Sequence, residues 1–528
     1  MSYVLSAVDT TGIQSYIFGS NRLRENVGAS EHVLRATTAW IWETLRDENL
    51  RANWQPGKFP RDDTKKIEDG ELDAEVIYAA GGNALILFRE AQQAYSWARR
   101  ISKKALTDAP GLILLVAHSE SFDWAPNGAD LSERIAELFN QRLDQIKRIR
   151  VSSTPLMGLG VTATCQSTGL VATEVDTTDN IRVSREVVAK TRALRETNDR
   201  FQALLRDYQN LDLKLPSKLD ELNPNKGERS YIAVVHADGN GIGKRFQAIW
   251  QGKTNRAGIT AVRHLSDNLT KLASNALQHA LGGLITSSAQ LIEPYSKVFP
   301  VRPLIYGGDD LTIVCDGRIG VGVAARYLHE FEKHSQELVG EQLTAAAGVA
   351  IVKTHYPFAR AYSLSEELSR SAKRLSRDVS TLDWHVAMSG TLANISEIRR
   401  REYRVDAGNL AMRPVYLQRV PADNATEHWR TWQNVEHIIN SLQTDDTWAD
   451  KRNKIKQLRE VLRDDSDAVE QFRKVYQTGT LPGYDNAPKL REQGWLDDRC
   501  GYFDPIELLD LYVAPFSDAK VGRWLPIS

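Results

Sequence analysis

The sequence predicts an α+β protein in which a β-α-β-β-α-β unit occurs twice and a helical region follows. Two observations predict the repeated unit. Apolar runs of strand length alternate with segments of helical periodicity, and a set of landmarks recurs in the same order in two parts of the chain. A third observation concerns the end of the chain, which changes after about residue 400 to helical patterns rich in tryptophan and charge.

The recurring landmarks begin with an apolar strand that ends in an aspartate. This aspartate is Asp9 in the first copy and Asp238 in the second, and a Gly-Ile pair follows each at the same offset. A Gly-Gly pair between two apolar runs ends at Gly82, 73 residues after Asp9, and at Gly308, 70 residues after Asp238. Several landmarks at nearly the same spacing predict a duplicated domain.

The second copy allows each element of the unit to be assigned. Thr260–Ala280 and Val321–Val339 have helical periodicity, Arg302–Cys315 is a hairpin candidate, and Ala345–Val352 is an apolar run of strand length. Together with the strand that ends at Asp238, these elements have the order of a ferredoxin-like domain.

Four domains follow from these assignments. We predict the first copy over residues 1–183, a helical connector over 184–228, the second copy over 229–400 and a helical C-terminal domain over 401–528. The tryptophans of the C-terminal domain are expected to pack in its core, and no chemistry is predicted there.

Composition excludes several classes of protein. The 67 Lys and Arg against 68 Asp and Glu give a formal net charge of −1, which argues against a surface that binds nucleic acid or anionic membrane throughout. The three distant cysteines suit neither a disulfide framework nor a paired zinc motif. No signal peptide is recognisable, and no apolar run approaches the ~20 residues that span a bilayer. We therefore expect a cytoplasmic protein with no membrane partner.

Three carboxylates carry the strongest chemical signal. Asp238 ends a strand, and Asp309 and Asp310 follow two glycines at the tip of a hairpin. If that strand lies beside the hairpin, the three carboxylates converge, and cations are needed to offset their repulsion. Oxygen ligands of this kind suit Mg²⁺ or Mn²⁺ in a two-metal site. We predict that Asp238, Asp309 and Asp310 are catalytic and that they bind metal together with Gly239.

The residues after Asp238 indicate a phosphate-binding loop. Backbone N–H groups of a glycine-rich stretch can cradle a triphosphate, and two lysines can add positive charge. The predicted nucleotide-binding residues are Gly239, Asn240, Gly241, Ile242, Gly243, Lys244, Gly308 and Lys373. The loop is not a Walker A motif, because Asp238 stands where that motif needs glycine and Arg245 where it needs Ser or Thr.

Each of these residues alone also has an ordinary structural explanation. A Gly-Gly pair between strands is commonly a turn, an aspartate at a strand end is commonly solvated, and a lone lysine such as Lys373 is commonly a surface charge. His236 alternates with apolar positions and is expected to be packed rather than catalytic. The order and spacing of the whole set favour the catalytic interpretation.

The first copy serves as an internal comparison. Asn83 and Ala84 stand where the second copy has Asp309 and Asp310, and the loop after Asp9 lacks the lysine. We therefore predict that the first copy binds metal poorly and acts as a scaffold or a non-catalytic face.

These motifs resemble a known family. GGDD at 307–310 and DGNGIGKRF at 238–246 resemble the palm domain of the large polymerase/cyclase subunit of type III CRISPR effector complexes, and more distantly GGDEF-type and class III nucleotide cyclases. The segment AAAGVAIVKTHYPFARAYSLSEELSRSAKR at 345–374 extends the resemblance. DTTGIQSYIFGSNRLRENVGAS and GGNALILF in the first copy resemble the degenerate first palm of that family.

The resemblance implies a metal-dependent nucleotidyltransferase. It would condense nucleoside triphosphates, ATP first among them, into a cyclic nucleotide or oligonucleotide messenger with release of pyrophosphate, in prokaryotic antiviral defence. Asn240 departs from the second acid of the family's D-G-D stretch, and Gly241 from the asparagine after it. No adjacent His-Asp pair occurs, so we expect a stand-alone relative without the family's HD nuclease.

Other interpretations and partners stay open at this stage. The alternative is a catalytically silent scaffold subunit of a CRISPR-like complex that binds nucleotide or RNA. An RNA or protein activator, a partner subunit and a homo-oligomer are all compatible with the sequence, which leaves the base preference and the product ring size open.

Overall fold

The structure is a computed structural model that describes residues 2–55, 58–150, 158–208, 214–223, 230–287, 298–387 and 394–514. Its contacts form two compact units. One unit consists of residues 1–206, 241–274 and 303–310, and the other of residues 207–240, 275–302 and 311–528. The four domain ranges drawn from the sequence stay predictions, and the connector positions 209–213 and 224–228 lie outside the described residues.

The first copy begins with strands and helices in the predicted order. Its strands are β1 (Ser2–Thr11), β2 (Trp54–Gln55), β3 (Lys58–Arg61), β4 (Ala74–Ala80), β5 (Asn83–Phe88), β6 (Ile113–His118), β7 (Phe122–Asp123), β8 (Glu174–Asp176) and β9 (Ile181–Val183). Its helices are α1 (Ile13–Phe18), α2 (Leu23–Ala36), α3 (Ala39–Asp47), α4 (Ala91–Asp108), α5 (Leu131–Glu137) and α6 (Asp144–Ile149), with a π-helix at Leu138–Leu143 between the last two. The helices α7 (Arg185–Arg192) and α8 (Leu194–Leu204) follow.

The sheet of the first copy has the ferredoxin-like strand order β4-β5-β1-β6. The central strand β1 pairs antiparallel with β5 and with β6, and Asp9 lies opposite Asn83. Alternate residues of β1 enter two different hydrophobic clusters: Leu5 and Ala7 join one, and Val4 joins the other. A strand with core on both faces must be apolar almost throughout, which explains the uninterrupted run in the sequence.

The second copy repeats this order. Its strands are β10 (Tyr231–Gly239), β11 (Val301–Gly307), β12 (Asp310–Asp316), β13 (Ala345–Lys353) and β14 (Thr381–Val386). Its helices are α9 (Ile242–Ala248), α10 (Asn255–Ser287), α11 (Gly320–Val339) and α12 (Phe358–Leu375). The sheet order is β11-β12-β10-β13, extended by β14, so the predicted α+β class with two ferredoxin-like copies is confirmed.

The C-terminal region is mainly helical, as predicted, but it also contains a small sheet. Its helices are α13 (Ile395–Glu402), α14 (Trp432–Thr444), α15 (Arg452–Val461), α16 (Ser466–Tyr476), α17 (Pro488–Gln493) and α18 (Phe503–Leu508). The strands are β15 (Arg404–Val405), β16 (Gly408–Asn409), β17 (Val415–Tyr416), β18 (Trp495–Leu496) and β19 (Arg499–Cys500). β17 joins the sheet of the second copy, and β15-β16-β19-β18 form the small sheet. Strands of two residues are too short to give a periodic pattern, so the sequence did not predict them.

The tryptophans, the cysteines and the polarity of the helices were also the subject of expectations from the sequence. Trp429, Trp432, Trp448 and Trp495 of the C-terminal region are buried. The cysteines are free thiols. Within the part of the chain that the structure describes, every helix is too short or too polar to cross a membrane.

Candidate active site

Asp238 marks the point where the central strand of the second sheet leaves the core. Residues 231–237 of β10 are buried, whereas the side chain of Asp238 is 32% exposed. β10 pairs antiparallel with β13, and Asp238 lies opposite Ala346. The fold therefore fixes this carboxylate at a strand end while it leaves its oxygens accessible.

Lys373 lies beside this carboxylate. Its Nζ donates to Oδ2 of Asp238 and to the carbonyl oxygen of Gly239, the latter at 3.4 Å. Helix α12 carries Lys373 and is tied to β13 by a bond from Ser369 Oγ to the Ala346 carbonyl oxygen, 3.2 Å long. Of the predicted site residues, the structure thus brings Asp238, Gly239 and Lys373 together.

Asn240 has a different environment from its neighbours. The residue is 5% exposed, its Nδ2 donates to Thr344 Oγ1 at 2.9 Å, and its backbone N–H donates to the Thr344 carbonyl oxygen at 2.8 Å. No described residue hydrogen-bonds to its Oδ1. These contacts anchor the chain as it leaves β10, a structural role that the sequence did not reveal.

A glycine in the left-handed region starts the helix after each strand-end aspartate. Gly241 has φ +72° directly before α9, and Gly12 has φ +67° directly before α1. Residues with a side chain rarely adopt this conformation, so both copies require glycine at this turn. Beyond the turn, Gly243 and Lys244 are exposed and Ile242 is buried.

The second strand of the hairpin begins one residue later after the Gly-Gly pair in the second copy than in the first. β5 begins at Asn83, whereas β12 begins at Asp310, which leaves Asp309 in the turn. The sequence comparison had aligned Asn83 with Asp309, and the strand bounds instead align it with Asp310. Asp310 is exposed and Asp309 is half-buried.

A cavity of about 580 Å³ lies within the first of the two units. Its lining includes Ile242 and Gly243 of α9, Gly308 and Asp309 of the second hairpin, and Asn83 of the first. Aromatic and aliphatic side chains form most of the wall, and Asp309 alone is charged among the described residues that line it. The size and apolar walls are typical of a pocket for a small organic molecule.

The cavity wall also contains a tyrosine that stays neutral. Burial, with a smaller contribution from the charge of Asp9, raises the pKa of Tyr78 well above its usual value. The wall therefore presents a phenol rather than a phenolate at physiological pH. Trp250 and Phe246 line the cavity as well.

The first copy contains an ion pair that the sequence did not predict. Lys147 Nζ lies 2.7 Å from Asp9 Oδ2. Lys147 belongs to α6, which follows β6, just as Lys373 belongs to the helix that follows β13. An aspartate near the end of the central strand, paired with a lysine from a helix that follows the fourth strand of the sheet, is thus a feature of both copies.

His236 is packed, as expected. It is 8% exposed, its Nδ1 lies 3.3 Å from Thr312 Oγ1, and its ring packs edge-on against Tyr362. Burial lowers the pKa of His236, so the ring is neutral at physiological pH. The contact with Thr312 joins the neighbouring strands β10 and β12.

Comparison with known proteins identifies the second copy. Residues 231–381 match the family model described as Cas10/Cmr2, second palm domain. These residues belong to that family. The matched range of this chain includes Asp238, Lys373 and the GGDD hairpin at 307–310.

Solved structures extend the similarity over nearly the whole chain. Csm1 of T. onnurineus is 14% identical with a TM-score of 0.53, over 97% of this chain and 70% of its own. The Csm1-Csm4 cassette in complex with pppApApA is 13% identical with a TM-score of 0.52, over 96% of this chain and 69% of the matched chain. At this identity the similarity establishes the fold alone. No curated protein matches the sequence.

The donor atoms of the palm suit a divalent cation. Within the described residues, no group of three or more His, Cys, Asp or Glu side chains is arranged to hold a metal by itself. Mg²⁺ does not require such a group, because it commonly takes one or two carboxylates and completes its shell with water and substrate phosphates. Asp238, the Gly239 carbonyl, Asp309 and Asp310 offer only oxygen donors, which this ion prefers.

Proposed function

We propose that this protein is a metal-dependent nucleotidyltransferase that joins nucleoside triphosphates, ATP first among them, and releases pyrophosphate. The product would be a cyclic nucleotide or oligonucleotide that acts as a messenger in prokaryotic antiviral defence. In the reaction, a 3′-hydroxyl attacks an α-phosphate, the new phosphodiester bond forms, and the bond to pyrophosphate breaks.

The observation that carries the proposal is the cluster at the end of β10. Asp238 lies there with Lys373, and β12, the neighbouring strand in the sheet, begins with Asp310. In the first copy the equivalent strands are antiparallel and place Asp9 opposite Asn83. The same register in the second copy would place Asp310 opposite Asp238, and the contact between His236 and Thr312 agrees with it.

Each group of the chain has a role in this proposal. Asp238, Asp309, Asp310 and the Gly239 carbonyl would hold Mg²⁺ or Mn²⁺, which would lower the pKa of the attacking hydroxyl and neutralise the leaving pyrophosphate. Residues 239–244, Gly308 and Lys373 would contact the triphosphate. The cavity beside Gly243 has walls that are largely apolar apart from Asp309, and it would take the base.

The ligand of one matched structure supports ATP as the substrate. The Csm1-Csm4 cassette is in complex with pppApApA. A linear triphosphorylated oligoadenylate has the composition expected when ATP molecules condense with loss of pyrophosphate. We transfer this substrate class to the present chain as part of the proposal.

The test is incubation of the full chain with mixed nucleoside triphosphates and Mn²⁺, followed by a pyrophosphate assay and mass spectrometry of the products. Separate reactions would include RNA or a partner subunit as activator. Asp309→Ala/Asp310→Ala should abolish pyrophosphate release. Asp9→Asn, which alters the equivalent strand end of the first copy, is the matched control and should retain it. Equal turnover in the double variant would refute the assignment.

A second candidate is a silent scaffold that binds nucleotide or RNA without turnover. The residue at position 240 favours this candidate. Related palms have an acid there, whereas this chain has Asn240, whose side chain is hydrogen-bonded to Thr344. Nucleotide binding without pyrophosphate release, in the presence of every activator tested, would select this candidate over the enzyme.

A further inference from the structure

The ion pairs Asp238–Lys373 and Asp9–Lys147 differ in what surrounds them. Lys373 Nζ contacts Oδ2 of Asp238 and the Gly239 carbonyl oxygen together. Both oxygens belong to the set proposed above as metal ligands. The ammonium group of Lys373 therefore covers the same donors that a divalent cation would use.

The pair in the first copy has different surroundings among the described residues. Asp9 lies opposite Asn83, a neutral residue, and Lys147 pairs with its Oδ2. The register that would bring a second carboxylate to Asp238 brings only an amide to Asp9. A divalent cation that replaced Lys147 would find no second carboxylate at the position opposite Asp9.

We propose that Lys373 is an exchangeable counter-ion: a divalent cation displaces its ammonium group from Asp238 and Gly239, and the released group then binds the triphosphate. This inference rests on the proposed function and adds a regulation of the same site. An ammonium and a divalent cation on one carboxylate repel each other, so the metal binds weakly until Lys373 has another anion to bind. Metal and nucleotide binding are therefore coupled, and each favours the other.

The geometry of the lysine supports such an exchange. The Lys373 side chain is 16% exposed, and that of Asp238 is 32% exposed, so neither is sealed in the core. A lysine has four rotatable side-chain bonds, and its ammonium group can move several ångströms while its backbone stays fixed in α12. No covalent bond is formed or broken in the exchange, and the negative charge on Asp238 faces a cation before and after it.

The first experiment measures Mn²⁺ binding without nucleotide, by titration calorimetry or paramagnetic resonance. Lys373→Met should bind Mn²⁺ roughly tenfold more tightly than the unmodified chain, because one repelling charge is gone. Lys147→Met is the matched control and should leave the affinity unchanged. With a non-hydrolysable ATP analogue, the gain in Mn²⁺ affinity caused by the nucleotide should be smaller in Lys373→Met than in the unmodified chain. Equal or weaker Mn²⁺ binding by Lys373→Met would overturn the proposal.

A second experiment needs no variant, so it does not depend on whether Lys373→Met folds. The unmodified chain is acetylated briefly at fixed pH, without Mg²⁺ and with a concentration of Mg²⁺ that saturates the site, and each lysine is quantified by mass spectrometry. Mg²⁺ should raise the acetylation rate of Lys373 several-fold and leave that of Lys147 unchanged. An unchanged rate at Lys373 would count against the exchange.

The outcomes separate this proposal from the function on which it rests. Pyrophosphate release together with equal Mn²⁺ affinities in the unmodified chain and Lys373→Met would overturn the counter-ion role alone. If neither protein binds Mn²⁺ and no pyrophosphate is released with any activator, both the function and the counter-ion role are refuted.

Discussion

Gly348 of β13 lies directly against the backbone of Ser365 in α12: a Cβ atom on Gly348 would stand 2.1 Å from the Ser365 carbonyl oxygen. Only glycine allows the helix to approach the strand so closely. This contact holds α12 against the sheet, and the same helix carries Lys373 to Asp238. Gly348, which has no side chain, thus helps to position Lys373, which has a proposed function.

We predict that Gly348→Ala destabilises the protein and lowers its activity. The added methyl group meets backbone rather than a mobile side chain, so strand and helix must separate, at a cost of about 1–3 kcal/mol. Thermal unfolding and pyrophosphate release should both report the change. Gly160→Ala is the control, because a Cβ atom there has no neighbour within 4 Å. A Gly348→Ala variant with the stability and turnover of the unmodified chain would contradict this packing argument.

A second prediction concerns the buried carboxylate of Glu75 on β4. Its Oε1 accepts bonds of 2.6 Å from Arg256 Nη1 and from Arg263 Nη2, both on α10. Burial alone would raise the pKa of Glu75, but the hydrogen bonds and charges of the two arginines hold it below its usual value. This cluster joins α10 to the sheet of the first copy.

Glu75→Gln should lower the stability by about 3 kcal/mol, because buried guanidinium groups would lose the charge that compensates them. The measurement is thermal or denaturant unfolding at neutral pH. Glu71→Gln, at an exposed position four residues earlier, is the control and should change the stability little. Similar unfolding midpoints for the two variants would show that the cluster contributes nothing measurable.

Much of the fold and part of the site could be predicted from the sequence, because they depend on local patterns. Strand ends, Gly-Gly turns and helical periodicity predicted the order of both copies. Spacing indicated Asp238 as a candidate site residue, and Lys373 was predicted as a phosphate contact on a helix rather than as the partner of Asp238. The pairing of Asp9 with Lys147 could not be predicted, since the π-helix at Leu138–Leu143 breaks the helical period just before Lys147. The position of Asp310 in the hairpin depends on strand register, and a shift of one residue moves every side chain to the other face.

Trp250 provides a test of the cavity as a base-binding pocket. Its indole ring lines the cavity and packs over Gly258, where a Cβ atom would stand 2.3 Å from the ring. Stacking of a base on an aromatic ring is worth about 1–3 kcal/mol, so Trp250→Ala should weaken ATP binding by roughly tenfold or more. Equilibrium binding of a non-hydrolysable ATP analogue measures this. Tyr95→Ala removes an exposed aromatic side chain elsewhere and should leave the affinity unchanged. Unaltered affinity in Trp250→Ala would place the base outside the cavity.

The last prediction concerns the pH dependence of stability in the C-terminal region. Glu436 on α14 accepts a hydrogen bond from the hydroxyl group of Tyr512. Burial raises the pKa of Glu436 from 4.5 to about 7. The folded chain therefore holds this proton more tightly than the unfolded chain does. The resulting stability is fully present below pH 4.5, is lost as the pH rises towards 7, and is constant above that value.

Glu436→Gln keeps a neutral side chain at every pH and removes this dependence. The variant should match the unmodified chain near pH 4.5 and should be more stable by about 3 kcal/mol at pH 8, with a correspondingly higher Tm. The informative quantity is the difference in Tm between the two proteins across this range, because it cancels the titration of other groups. Glu460→Gln, at an exposed position on α15, controls for a general loss of negative charge. A Tm difference for Glu436→Gln that stays constant between pH 4.5 and 8 would mean that folding does not raise the pKa of Glu436.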